Sequence, residues 1–410
     1  MVNKQCKAAR EAAYILASTD TNSKNKMLSA IADAILLNRA YILSENAKDL
    51  ANEQLEAAFK DRLMLNDKRL EAMAEGVRQV IDLPDPVGEV VETWTAKSGL
   101  VISKVRAPLG VIGVIYEARP NVTVDVAALC IKSGNAVVLR GGKEAINSNR
   151  ALYRIMVDAL KGIGCFSDML QFIDDATRQG TTELLKQERY VDVIIPRGGE
   201  GLKRFIIENS KIPVIASAGG VCHVYVEKSA DFDMARDVTV NAKCNRPSVC
   251  NAAETLLVDK AIAKDFLPIV LKALEERGVK LYGDASTKRI FANVETATDE
   301  NYFMEYHDMI MNVKVVKDVN EAVEHINLHN TKHSEAIVTK DKKAENIFTS
   351  KVDAAAIFVN ASTRWTDGFE FGFGAEIAIS TGKLHARGPL GLKELTNCKY
   401  VCRGNGQLRP

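Results

Sequence analysis

The chain has 410 residues, 47% of them hydrophobic, so its length favours two domains and its composition excludes extensive disorder. The 54 Lys and Arg residues are balanced by 53 Asp and Glu, so no general electrostatic field would attract nucleic acid or an anionic membrane. No run of about 18 apolar residues occurs, and charges interrupt the apolar positions of the N-terminus. We therefore expect a cytoplasmic protein whose eight cysteines are reduced thiols, with no structural zinc site.

The first eighty residues have helical spacing, with Met27, Ile31 and Ile35 on one face and residues 18–21 available to cap the start. Between residues 84 and 103 the pattern changes to one typical of a β-hairpin with a Lys-Ser-Gly turn.

From residue 110 onwards, short apolar runs alternate with segments of helical spacing. The first series predicts five strands, at 111–116, 136–140, 169–173, 191–195 and 213–216. A second series begins at residue 253, and residues 223–227 are interpreted as the crossing between domains. Because continuous apolar strands alternate with helices, we predict an α/β fold with parallel sheets covered on both faces.

The segment N-R-P-S-V-C-N-A-A-E (245–254) places Cys250 just before a strand of the second series, where we expect a cleft between domains. The cations of Lys243 and Arg246 are close in sequence and would lower the pKa of a nearby thiol. The alternative is that Cys250 is a buried small hydrophobe, as free cysteines usually are. Cys222 and Cys244 are comparable candidates on local sequence alone.

Two further segments join a strand to a helix and carry polar side chains. In E-A-R-P-N (117–121), Asn121 is a candidate donor to an oxyanion and Arg119 a candidate anion-binding residue. The alternative is that Asn121 caps the helix and that Arg119 is solvated. In V-N-A-S-T-R (359–364) the polar side chains follow a predicted strand, whereas His385 and Arg387 more readily fit a capping or interdomain role.

Two glycine pairs follow predicted strands: Gly141-Gly142, flanked by Arg140 and Lys143, and Gly198-Gly199, preceded by Arg197. Backbone amides at the start of a helix, together with cations, form a plausible phosphate site. No G-x-G-x-x-G motif occurs, and either pair alone is compatible with a plain turn. Two such pairs after neighbouring strands favour a dinucleotide site.

Eight runs, in the same order over nearly the whole chain, closely resemble a reductase group of the aldehyde dehydrogenase superfamily: E-A-R-P-N, V-V-L-R-G-G-K-E, I-I-P-R-G-G, C-H-V-Y-V, R-P-S-V-C-N-A-A-E-T-L-L-V, H-S-E-A-I-V-T, V-N-A-S-T-R-W-T-D-G and K-L-H-A-R-G-P-L-G-L. The resemblance implies an aldehyde dehydrogenase-like fold with a Rossmann-type cofactor domain, a second α/β catalytic domain and a β-hairpin oligomerisation element. It implies domains at 1–225 (cofactor-binding, with the hairpin near 85–105), 226–362 (catalytic) and 363–410 (return to the cofactor domain and C-terminal oligomerisation).

The reaction implied by the resemblance is the NADPH-dependent reduction of L-glutamyl 5-phosphate to its semialdehyde and phosphate, in proline biosynthesis. Cys250 would be the nucleophile and Asn121 the oxyanion donor. The resemblance assigns the cofactor NADP(H) to Arg140, Gly141, Lys143, Arg197, Gly198, Gly199 and Glu305. The anionic substrate is assigned to Arg119, Arg246, Ser362, Thr363 and Arg364.

Three further expectations accompany this assignment. Hydrolytic relatives carry a water-activating glutamate where this chain has Ala216 and Ser217, so thioester hydrolysis should be disfavoured. The hairpin and the run at 397–406 resemble subunit-pairing elements, which predicts a homo-oligomer. A glutamate 5-kinase is a candidate partner, since it would supply the labile acyl phosphate.

Three alternatives remain open. The first is a hydrolytic, NAD-dependent semialdehyde dehydrogenase. The second is a cofactor-free thiol hydrolase or amidotransferase acting through Cys250 and His385. The third is a non-catalytic protein that retains the fold.

Overall fold

The computed structural model describes residues 1–51, 57–216 and 219–409. The chain forms two compact units. The first comprises Met1–Ala216, Gly372–Ala378 and Leu384–Pro410; the second comprises Ser217–Phe371 and Ile379–Lys383. The expected boundaries at 225/226 and 362/363 are therefore displaced. The first falls inside a strand of the second unit, and the return to the first unit comes nine residues later than expected, at 372 rather than 363.

Within the described residues, helices α1 to α14 are Val2–Leu16, Thr21–Leu37, Arg39–Leu50, Ala57–Leu63, Asp67–Asp82, Asn121–Lys132, Ile146–Gly162, Arg178–Leu184, Glu200–Asn209, Phe232–Cys244, Ala263–Glu275, Ala285–Ile290, Val319–His329 and Lys342–Lys351. Short 3-10 helices are Lys143–Ala145, Asp299–Phe303 and Thr363–Trp365.

Strands β1 to β16 of the same residues are Val90–Thr95, Val101–Pro108, Val111–Tyr116, Ala136–Arg140, Leu170–Phe172, Val193–Arg197, Cys222–Val226, Ala253–Asp259, Lys280–Gly283, Glu295–Thr296, Ile310–Val316, Ser334–Val338, Ala356–Val359, Ile379–Ser380, Gly388–Pro389 and Thr396–Arg403.

The first unit contains a parallel four-stranded sheet in the order β5-β4-β3-β6. Strands β3 and β4 are buried along their whole length, as their continuous apolar runs predict. Helix α2 begins after Asp20, whose side chain accepts a hydrogen bond from the Ser23 backbone N–H. The strand predicted at 213–216 is wrong, since this segment forms only a single bridge between Val214 and Ile194.

A separate antiparallel sheet in the first unit has the order β1-β2-β16. Its hairpin pairs Thr93 with Ser103, and β16 pairs with β2 so that Tyr400 lies opposite Lys104. This arrangement confirms the predicted hairpin and adds the C-terminal run to it. Strand β1 is exposed throughout, including Trp94.

The second unit contains a seven-stranded parallel sheet in the order β10-β9-β11-β8-β7-β12-β13. Alternate residues of β7, β8, β11 and β12 enter two separate cores, one with α10 and α11 and the other with α13 and α14. In β7, for example, Val224 faces the first core and Tyr225 the second. The α/β class predicted from the sequence is confirmed.

Among the described residues no single helix is long and apolar enough to cross a membrane. Only α2 and α3 taken together reach the required length and composition, and they are bent by 70° at their junction.

Candidate active site

Cys250 lies in the second unit, in the segment that links the end of α10 to the start of β8. Its backbone carbonyl accepts a hydrogen bond from the Cys222 thiol, with a sulfur–oxygen distance of 3.2 Å. Burial raises the pKa of Cys222 well above its ordinary value, so this thiol stays protonated and remains a donor. Gly220 packs against the same carbonyl, and a Cβ atom at Gly220 would overlap it. The backbone carbonyl of the half-buried Cys250 is therefore held by the segment 220–222 at the start of β7.

Lys243 was expected to act as a cation near Cys250, but the structure gives it another role. Its Nζ atom lies 2.7 Å from the Glu254 carboxylate, and both side chains are completely buried. It also donates to the backbone carbonyl of Asp308 at 3.2 Å. Burial raises the pKa of Glu254 to about 7, although Lys243 lowers it. The positive charge of Lys243 is thus directed to Glu254.

The arginines near Cys250 are Arg246 and Arg364. Arg246 is exposed, and Arg364 is half-buried. Burial, followed by the neighbouring Arg246 guanidinium, lowers the pKa of Arg364, whereas Asp367 and Cys250 raise it. Because an arginine stays protonated in proteins, the two side chains form a local positive region beside the cysteine segment.

The adjacent hydroxyls predicted to bind substrate are used internally. Ser362 accepts a hydrogen bond from the Arg364 backbone N–H and caps the 3-10 helix Thr363–Trp365. Thr363 is fully buried, and its hydroxyl donates to the backbone carbonyl of Asn251 at 2.6 Å. In this structure both hydroxyls therefore organise the segment that carries Arg364.

Glu305 precedes β11. Its Oε1 atom accepts a hydrogen bond from the Gly220 backbone N–H at 2.6 Å, and its Oε2 atom lies 3.3 Å from the His307 ring. The structure therefore brings Glu305 next to the glycine that packs against Cys250. Both lie before the first residues of parallel strands, so this site is at the amino edge of the second sheet.

The remaining predicted residues lie in the first unit, at the carboxyl edge of its sheet, where parallel α/β sheets usually bind ligands. Strands β3, β4 and β6 are neighbours, so the segments that follow them are adjacent. Glu117 accepts the Gly199 backbone N–H at 2.7 Å, and Glu144 accepts the Ala118 backbone N–H at 3.0 Å. These two carboxylates join the E-A-R-P-N segment to both glycine pairs.

Asn121 is exposed and is the first residue of α6, whose cap position is Pro120. Its side-chain amide donates to Asp125 at 2.8 Å, one turn further along the helix. Burial raises the pKa of Asp125 to about 6, although the Asn121 hydrogen bond lowers it. The capping role considered for Asn121 is therefore wrong. Arg119, one position before the cap, is half-buried.

Around the glycine pairs, Arg140 donates through Nη2 to the carbonyls of Ala176 and Thr177, at 2.6 and 2.9 Å. Burial lowers the pKa of Arg140, but a guanidinium remains charged. In the described part of the chain, the buried Nε atoms of Arg140 and Arg197 have no hydrogen-bond partner. Lys143 is exposed, and Gly199 caps the start of α9 without a side-chain acceptor of its own. Orphaned cationic donors beside backbone amides fit the phosphates of a dinucleotide.

Sequence reasoning missed Cys222 as a donor, Glu254 as the partner of Lys243, Glu117 as an acceptor, and Asn251. Glu117 lies in a segment that had been singled out, and Asn251 follows Cys250 directly. The contact of Cys222 depends on the pairing of β7 with β8, and that of Glu254 on the packing of α10 against β8, and no local pattern reveals either. His385, the alternative partner of the nucleophile, lies in the first unit, and its Nε2 atom is 2.6 Å from the Glu394 carbonyl.

Comparison with known proteins identifies the family of this chain. A profile described as "Aldehyde dehydrogenase family" matches residues 1–290. The chain is 51% identical over 404 residues to the gamma-glutamyl phosphate reductase of Clostridium botulinum (strain Eklund 17B / Type B). It is 54% identical over 406 residues to the gamma-glutamyl phosphate reductase of Carboxydothermus hydrogenoformans. Each alignment covers 98% of this chain and 98% of the relative. The crystal structure of gamma-glutamyl phosphate reductase from Thermotoga maritima superposes with a TM-score of 0.98 at 44% identity, over 100% of both chains. The chain therefore belongs to the aldehyde dehydrogenase family, within the group of the gamma-glutamyl phosphate reductases, and is an oxidoreductase.

Proposed function

We propose that this enzyme reduces L-glutamyl 5-phosphate to L-glutamate 5-semialdehyde and phosphate with NADPH, through a thioester at Cys250, in proline biosynthesis. The observation that carries the proposal is the arrangement around Cys250. Its backbone is held by Cys222 and Gly220, and the guanidinium groups of Arg246 and Arg364 lie beside its segment. The full-length similarity to enzymes named for this substrate supports the choice of acyl phosphate.

In the proposed mechanism the Cys250 sulfur attacks the acyl carbon, the carbon–oxygen bond to phosphate breaks, and a thioester forms. The Cys250 backbone N–H and the Asn121 amide would stabilise the oxyanion of the tetrahedral stages. The nicotinamide cofactor, when bound, supplies the hydride that reduces the thioester. Collapse of the resulting thiohemiacetal releases the aldehyde and restores the thiolate of Cys250.

For the cofactor, Arg140, Gly141, Lys143, Arg197, Gly198 and Gly199 would hold the adenosine and phosphate portions, and Glu305 would hold the nicotinamide ribose. The orphaned Nε atoms of Arg140 and Arg197 support this assignment, since buried donors without partners are rare. A guanidinium at Arg140 would favour the 2′-phosphate of NADP over NAD.

For the substrate, Arg119, Arg246 and Arg364 are the proposed cations for its carboxylate and phosphate, with Ser362 and Thr363 supporting Arg364. Ala216 has no carboxylate that could activate water, and Ser217 lies outside the described residues. The acyl-enzyme would therefore be discharged to phosphate rather than to water in the reverse direction.

The test is a spectrophotometric assay of semialdehyde oxidation with NADP or NAD, with and without phosphate. We expect turnover that requires phosphate and prefers NADP. The Cys250→Ala variant should lose turnover while retaining its fold and its cofactor binding. Cys244→Ala is the matched control, because Cys244 is another partly buried thiol near the same segment. Full turnover without phosphate, turnover without cofactor, or an active Cys250→Ala variant would each contradict the proposal.

We also propose a cytoplasmic homo-oligomer that receives its acyl phosphate from a glutamate 5-kinase. The exposed strand β1 and its sheet support the oligomer, since exposed sheet surfaces with apolar side chains commonly form interfaces. Truncation after Gly391 removes β16 and should dissociate the assembly. A truncated chain that keeps its association state would oppose this part of the proposal.

A further inference from the structure

Asn251, the residue after Cys250, is 4% exposed and uses all of its side-chain groups on one segment. Its Nδ2 atom donates to the carbonyls of Thr366 at 2.9 Å and Arg364 at 3.3 Å. Its Oδ1 atom accepts a hydrogen bond from Nη1 of Arg364. Its backbone carbonyl accepts the Thr363 hydroxyl. Asn251 is therefore attached both to the backbone and to the guanidinium of the segment 363–366.

Among the described residues, the side chains that accept hydrogen bonds from Arg364 are neutral amides, whereas the carboxylates of Asp367 and Glu370 act on it through their charge. Nη1 binds Asn251, and Nε donates to Oδ1 of Asn245 at 3.2 Å. A carboxylate in either position would orient the guanidinium equally well, but it would form an ion pair and cancel the charge. An amide oxygen orients the guanidinium and leaves its positive charge available to a ligand. The far side of the segment is also anchored, because the Thr366 hydroxyl lies 2.6 Å from that of Ser334 in β12.

We propose that Asn251 is a positioning residue, which holds the Arg364 guanidinium in a preset orientation beside Cys250 for an anionic group of the substrate. The inference deepens the proposed function and rests on it. The group that Arg364 recognises is a phosphate or a carboxylate, since both present oxygen pairs that match a guanidinium fork. Orientation matters here because an arginine side chain that becomes ordered only when the anion binds loses conformational entropy at that step, and this loss weakens the affinity for the anion.

Anion binding can be measured without turnover. The full-length enzyme is treated with iodoacetamide, a neutral reagent, and alkylation of Cys250 is followed by mass spectrometry while inorganic phosphate or L-glutamate is titrated. We expect saturable protection of Cys250 in the wild type. Protection by phosphate that Arg364→Met abolishes assigns Arg364 to the phosphate, and protection by glutamate that the same variant abolishes assigns it to the carboxylate. No protection by either anion would overturn the inference.

Two variants separate positioning from general structure. Asn251→Ala and Asn251→Asp both lose the amide donors, but only Asp places a carboxylate on Arg364. We expect the anion affinity to fall several-fold in Asn251→Ala and by about tenfold or more in Asn251→Asp, because an ion pair would neutralise the guanidinium. The alkylation rate without anion is measured in each variant and serves as that variant's own reference, because the charge of Arg364 also affects the reactivity of the Cys250 thiol. An equal loss of anion affinity in the two variants would indicate a merely structural role and overturn the inference.

A double-mutant cycle tests whether Asn251 acts through Arg364. In an Arg364→Met background, the Asn251→Ala substitution should have no further effect on protection. Asn320→Asp, the same change at an exposed position of α13, is the charge control and should leave protection unchanged. Additive losses in the Arg364→Met background would contradict the proposal.

If the wild type shows no phosphate-dependent turnover while the Asn251 series behaves as expected, the inference stands and the proposed function fails. If the wild type shows phosphate-dependent turnover while the Asn251 series does not behave as expected, the inference fails and the proposed function stands.

Discussion

Lys243 and Glu254 form a fully buried ion pair, 2.7 Å apart, at the two ends of the segment that carries Cys250. Lys243 is in the last turn of α10, and Glu254 is the second residue of β8. The Lys243 bond to the Asp308 carbonyl adds the segment that contains Glu305. Lys243 thus links the segment that carries Cys250 to the segment that carries Glu305.

Removal of either charge should strongly destabilise the folded protein. We expect Lys243→Met or Glu254→Leu to lower the free energy of unfolding by about 3–5 kcal/mol, because each leaves one buried charge uncompensated. The double variant Lys243→Met, Glu254→Leu should recover most of this loss, since it buries no charge. Urea unfolding measures all three. If the double variant loses as much stability as the two single variants together, the destabilisation does not arise from an uncompensated buried charge.

The close approach of Gly220 to Cys250 predicts a strong effect of one methyl group. In Gly220→Ala the new Cβ would overlap the Cys250 carbonyl, so the cysteine segment must shift and turnover should fall sharply. Gly76→Ala, in the middle of α5, is the matched control. Its Cβ meets nothing within 4 Å, and it should stabilise the protein by about 0.5–1 kcal/mol. An active Gly220→Ala enzyme would contradict the packing described here.

Acid pH should destabilise the enzyme through His325. Burial, followed by His223 and Lys314, lowers the pKa of His325 from 6.5 to about 2. The unfolded state therefore binds a proton that the folded state does not, and stability present above pH 6.5 is lost as the pH falls below it. When the pH is lowered from about 8 to about 5, the free energy of unfolding of His325→Phe should fall by about 2 kcal/mol less than that of the wild type. Urea unfolding at each pH measures this difference.

Tyr302→Phe is the control for this experiment, because it changes a ring in contact with His325 without removing a group that titrates in this range. It should keep the wild-type pH dependence. A His325→Phe variant with the same pH dependence as the wild type would assign the acid sensitivity to other groups.

The exposed face of the β1-β2-β16 sheet should mediate self-association. Trp94 is 38% and Tyr400 61% exposed, with their rings 6.1 Å apart. Trp94→Glu adds a charge to this surface and should shift the sedimentation coefficient towards that of a single chain, with little effect on the fold. Leu328→Glu, at an exposed position of α13, should leave it unchanged. Loss of association only in the Leu328 variant would place the interface elsewhere.

Several features follow from the sequence by itself. The apolar runs at 111–116 and 136–140 are buried strands, as predicted, because local spacing and burial determine such elements. The motif order was also sufficient to identify the family. The run at 213–216 is apolar enough for a strand but forms a single bridge, and no local signal distinguishes the two outcomes.

The contacts of the site were decided only by the tertiary structure. Lys243 is a cation near Cys250 in sequence, yet its charge is directed to Glu254, because the end of α10 and the start of β8 are brought together with both side chains inside the core. Asn251 reaches Arg364, 113 residues away, because the 3-10 helix Thr363–Trp365 packs against β7 and β12, and β7 is the neighbour of β8 in the same sheet. Sequence spacing predicts which residues share an element, whereas the order of strands in a sheet determines which elements meet, and that order depends on interactions along the whole chain.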